Sequence, residues 1–98
     1  MVAESKALFC LGQVVATPGA TDMMATHNVR ALTLLMRHVS GDWGSVCPED
    51  IPVNNDAVCR GGRLLSCYEL VPGDRNTRIW IITESDRSTT TLLLPEEY

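Results

Sequence analysis

Positive charge is what this chain has least of. Lys6 is its sole lysine, and with seven arginines it faces twelve carboxylates, for a net charge of −4. Phosphate backbones are bound by clustered Lys and Arg that release counterions, so the missing basic block argues against direct nucleic-acid binding. Aromatic residues are scarce as well, at 5%. A core must therefore be built from Leu, Ile, Val, Met and Ala. No run of about 18 apolar residues exists, so nothing is expected to span a membrane. Met1–Lys6 precedes only a short apolar run with no cleavage pattern, which points to the cytoplasm.

The motifs that carry common chemistries are missing too. Cys10, Cys47, Cys59 and Cys67 are separated by 36, 11 and 7 residues, with no Cys-x-x-Cys pair, so no metal is expected and free thiols follow from a reducing compartment. Cys67, in a strand, and Cys10, in an apolar run, read as small buried hydrophobes. His27 and His38 lack a zinc-protease arrangement and read as loop or helix-end histidines. Gly61-Gly62 precedes a strand, the wrong context for cradling phosphate at a helix N-terminus. No Gly-x-Ser-x-Gly elbow is present. No cofactor is implied.

What is there describes one small domain of 98 residues, 45% hydrophobic. Met1–Lys6 reads as a loose terminus. Ala7–Thr17 reads as a first strand interrupted near Gly12, followed by a Pro18-Gly19 turn and a short helix over Ala20–Thr26. Asn28 is placed to cap a helix over Asn28–Val39, whose Val29, Leu32, Leu35, Met36 and Val39 recur at three- and four-residue spacing as an apolar stripe. Gly41-Asp42-Trp43-Gly44 is a tight turn. Val53–Arg60 is a third helix stopped by Gly61-Gly62, with Pro52 suited to a first turn.

From Arg63 the period becomes two. Arg63–Val71, Arg78–Glu84 and Ser88–Leu94 read as strands, with a Pro72-Gly73-Asp74 turn after the first. Arg78–Glu84 is apolar on both faces, as a central strand is. The fold class is therefore α+β: a three- to four-stranded antiparallel sheet, a C-terminal β-meander, with the earlier helices packed on one face. Trp80 is expected to be buried against the Asn28–Val39 helix or a neighbouring element, and Asp86 and Arg87 to sit in a solvated turn.

One polar grouping merits a test. Asp42 and Trp43 from the glycine-flanked turn, with Glu84, Asp86 and Arg87 from the hairpin, would place carboxylates near an arginine, the makings of acid–base work or a small binding site. The plainer alternative is a solvated turn beside a tryptophan anchor. Arg30, Arg37, Arg60, Arg63 and Arg78 would bind nucleic acid only if they shared a face.

Leu11–Ala20, Arg37–Gly44 with its Gly-Asp-Trp-Gly turn, Arg63–Tyr68 and Ile79–Tyr98 also carry a likeness across most of the chain. The sequence resembles a small bacterial family found on plasmids and other mobile genetic elements. Thr21–Asn28 and Ser45–Cys59 depart from that family's more plainly helical pattern. The resemblance implies a cytosolic accessory protein and transfers no catalytic residues. The leading expectation is a non-enzymatic, protein-binding monomer or homodimer whose protein partner belongs to the host or the element, in the manner of an anti-CRISPR or anti-restriction protein. The alternatives are a small ligand-binding domain or enzyme, and a nucleic-acid-binding module.

Overall fold

Two glycines decide how the sheet is bounded. The computed structural model describes residues 7–98; the expected loose terminus, with Lys6, lies outside them. Four strands, β1 (Gln13–Ala16), β2 (Leu64–Glu69), β3 (Arg78–Thr83) and β4 (Thr89–Leu93), form one sheet in the order β1-β4-β3-β2. Gly12, at φ 65°, lies against the backbone of Arg87 and Ser88, where a Cβ would overlap Ser88 O. That approach lets β1 add to β4 in parallel, with Val14 opposite Thr90 and Ala16 opposite Leu92. At the other side Gly44, at φ 73°, bridges Cys67 so closely that a Cβ would overlap Cys67 O.

The expected meander forms: β2 pairs antiparallel with β3, and β3 with β4. Chain order reflects turn chemistry. Val71-Pro72-Gly73-Asp74 closes on an Asp74 N–H to Val71 O bond of 3.0 Å, with Gly73 at φ 87°. β3 is central, as its two apolar faces require. The α+β class holds, and the parallel β1 makes the sheet mixed rather than wholly antiparallel.

Three helices precede the meander: α1 (Pro18–Thr26), α2 (Ala31–Val39) and α3 (Asp50–Arg60). Thr17 caps α1 through Ala20 N–H at 3.1 Å, with Pro18 at the first turn. Asn28 ends α1 instead of starting α2. It takes a left-handed φ of 55°, and Val29 N–H reaches back to Met24 O at 2.9 Å, a Schellman ending. Pro52 falls in the first turn of α3, whose last carbonyls meet Gly61.

The core lies between the sheet and α1 and α2. Ala20, Met24, Leu34 and Leu35 pack on Tyr68, Ile79, Ile81 and Leu92. The expected stripe on α2 is rotated: Leu34, Leu35 and His38 are buried, while Leu32 and Met36 are 64% and 47% exposed. A polar residue sits on the buried side because the sheet beneath it is itself polar, through Ser66 and Thr83. Trp80 does not meet α2. Strand alternation turns Ile79 and Ile81 toward the helices and Trp80 to the opposite face, where it is half-buried, lies opposite Cys67 and Leu93, and meets Tyr98 edge-on. The core tryptophan is Trp43, 4% exposed, clustered with Ala57 and Leu64 and stacked on Phe9.

Candidate functional site

The polar residues singled out from the sequence take separate partners. Asp42 pairs with Arg37 Nε at 2.7 Å and accepts from Gly44 N–H. That guanidinium holds the Asp42 carboxyl below its ordinary range. Trp43 donates its indole N–H to Asn55 at 3.0 Å. Glu84 pairs with Arg63, and Asp86 accepts from Ser88 N–H within its own turn. Arg87 is half-buried rather than free in the turn. Its residue takes a left-handed φ of 61°, and the guanidinium donates to the carbonyls of Gly62, Ala57, Glu84 and Ser85. It thereby ties the C-terminus of α3 to the hairpin and lies over the Phe9 ring that stacks on Trp43. Of the five, Trp43 and Arg87 converge through Phe9, while the three carboxylates serve three different local bonds.

The arginines are similarly committed. Arg37 pairs with Asp42, Arg60 with Asp56, Arg63 with Glu84 and Arg78 with Glu69. Four of the five that would make a nucleic-acid patch are neutralised locally, so the field such a patch needs is largely cancelled.

A serine–histidine pair is present that local sequence could not reveal. Ser66 Oγ meets His38 Nδ1, Thr83 Oγ1 meets His38 Nε2 at 2.9 Å, Thr83 meets Thr90 at 2.8 Å, and Thr90 donates to Leu11 O at 2.7 Å. His38, Ser66, Thr83 and Thr90 are all fully buried, and the His38 ring meets Phe9 and Trp43 in T-shaped contacts. Burial, and then the charge of Arg87, pull the His38 pKa down to about 4. A nucleophile must meet its substrate. These hydroxyls are shut off from the surface and bonded to one another, to the ring and to Leu11 O; among the described residues no buried side-chain polar atom lacks a partner.

One cleft of about 110 Å³ opens beside β2, lined by residues including Cys47, Cys67, Arg78 and Trp80. It is well below the roughly 300–1,000 Å³ of ordinary ligand pockets. Among the described residues no three His, Cys, Asp or Glu are grouped to hold a metal, and no helix is long and apolar enough to cross a membrane. All four cysteines are free; Cys67 is buried, and Cys10, expected inside, is exposed.

The two sheet edges differ sharply. The outer edge of β2 is covered twice. Cys67 donates to Trp43 O at 3.0 Å and accepts from Ser45 N–H at 2.6 Å, and the Asn54 amide bonds both Leu65 N–H and Leu65 O. The outer edge of β1 is bare among the described residues. Gln13 and Thr17 donate to Ser88 O and Leu92 O of the β4 side, both at 2.9 Å. Strand alternation then turns the amides of Val14 and Ala16 outward. All four β1 residues are exposed, Val14 by 42% and Val15 by 39%, and none is charged. Open edges are usually blunted by lysine, proline or a covering loop; among the described residues β1 has none of these. The sequence signal was modest: two β-branched residues without a charged neighbour. Its sidedness depends on a partner strand 76 residues away in register. No family model, no curated protein and no solved structure matches this chain.

Proposed function

We propose that this chain is a non-enzymatic protein-binding module that takes an extended segment of its partner onto the open edge of β1. The observation that carries the reading is the contrast between edges: β2 is covered by Ser45 and Asn54, while β1 presents the N–H and C=O of Val14 and Ala16 beside two exposed valines. Backbone pairing at such an edge supplies affinity, and alternate side chains supply selectivity. The locally paired arginines, and the small size of the cleft beside β2 among the described residues, favour this over nucleic-acid or ligand binding. The likeness to plasmid- and mobile-element-borne proteins supports a cytoplasmic accessory role, with the partner drawn from a host defence system such as restriction or CRISPR machinery.

Val14→Pro tests it. Proline at residue 14 removes an outward donor and leaves the β1–β4 bonds of Gln13 and Thr17 in place. Affinity capture from host lysate should yield one stoichiometric protein with the wild type and none with Val14→Pro, while the thermal transition persists. Retention of that protein by folded Val14→Pro, with loss on a Leu32→Asp, Met36→Asp double change, would move the interface to α2.

A further inference from the structure

Two of the four cysteines share the cleft beside β2. Cys47 and Cys67 line it together with Ser45, Asp50, Arg78 and Trp80. The backbone keeps them there. The loop carrying Cys47 leaves from the Cys67 backbone itself, through the Ser45 N–H to Cys67 O and Cys67 N–H to Trp43 O bonds. Cys47 lies two residues beyond Ser45, within about 7 Å of chain. It is fixed again by Asp50 N–H, which donates to Cys47 O at 2.8 Å. Cys67 points to the side of the sheet that Trp80 occupies and is 4% exposed, while Cys47 is exposed.

We propose that Cys47 and Cys67 form a hydroperoxide-sensitive dithiol, reduced at rest and closing to an intramolecular disulfide on oxidation. Exposure sets the order. The Cys47 thiolate attacks one peroxide oxygen, the O–O bond breaks, and a sulfenic acid and one water (or alcohol) result. The Cys67 sulfur then attacks the Cys47 sulfur. The S–O bond breaks, the S–S bond forms, and the hydroxide leaves as water with the Cys67 proton. Two thiols give up two electrons, and one hydroperoxide accepts them. Burial raises the Cys67 thiol pKa, and the Arg78 guanidinium lining the same cleft, itself paired with Glu69, only partly opposes that rise. The bond would tie the loop after Ser45 across the cleft and reinforce the covered edge of β2.

The test uses the reduced full chain with equimolar hydrogen peroxide at neutral pH. Thiol titration in denaturant should fall from four to two. Intact mass should drop by two hydrogens, and peptide mapping should find Cys47 linked to Cys67. Tryptophan emission should fall, since Trp80 stands directly opposite Cys67. Cys47→Ser, a surface change, should keep all its remaining thiols, and a Cys10→Ser, Cys59→Ser double change should still close the bond. Oxygen added to Cys47 without a link, a disulfide-bonded dimer, or a link through Cys10 or Cys59 would overturn the proposal; wild-type mapping decides this whatever the variants do.

Discussion

Acidification should weaken this fold through one residue, His38. The native protein holds its ring neutral, between Ser66 and Thr83, with a pKa pulled from 6.5 to about 4 by burial and then by Arg87. The unfolded chain takes up that proton near pH 6.5. Between the two values the unfolded state binds more protons, so stability is complete above pH 6.5 and declines as pH falls toward 4. A separation of this size is worth about 3 kcal/mol in full, and about 2 kcal/mol of it is lost between pH 7 and 5. Carboxylates held low by their partners, Asp42, Glu69, Asp86 and Glu97, withdraw their support only at lower pH. The pH 7 to 5 interval therefore isolates the histidine. Urea unfolding at pH 7, 6 and 5 should show the midpoint falling by about 1 M in all, at an ordinary slope for a small domain. His38→Gln retains a donor and an acceptor and should flatten the dependence. Where that variant is too unstable to compare, the wild-type ring protons followed by NMR should titrate below pH 5. A wild-type midpoint that is level from pH 7 to 5, or an equal slope in His38→Gln, refutes the argument.

The remaining expectations divide core from surface. Trp43→Ala should cost ~3–5 kcal/mol in chemical denaturation and Trp80→Ala about half as much, since only Trp43 is in the core. Arg87→Ala should cost about 2–3 kcal/mol because four carbonyls lose a charged donor, while Asp86→Ala should change the melting temperature little. Thiol titration in denaturant without oxidant or reductant should count four. Chelator treatment should leave the thermal transition unchanged; its collapse would reveal a structural metal.

The meander was legible because its information is local: alternation over Leu64–Glu69 and Arg78–Thr83, and a proline–glycine turn between them, each act within a few residues. The α2 burial was not. Leu32 and Met36 satisfy the helical period as well as Leu34 does, and what buries His38 is a pair of hydroxyls 28 and 45 residues distant. Arg87 looked like a solvated turn residue for the same reason, since its acceptors on α3 become neighbours only when the hairpin closes. The acidic tail likewise hid a contact: Glu97 accepts from Thr17 Oγ1 and from Gly19 N–H, placing a carboxylate at the start of α1. Residues that act through long-range partners carry no local mark, and the open edge of β1 is of that kind.

Amide hydrogen exchange along β1 tests the central claim most directly. In the free protein the amides of Val14 and Ala16 should exchange quickly, while those of Val15 and Thr17, turned toward β4, are protected. In the complex with the captured partner, Val14 and Ala16 should become protected with the others left as they were. If Val14 and Ala16 exchange as fast in the complex as in the free chain, the partner does not bind by strand addition at β1.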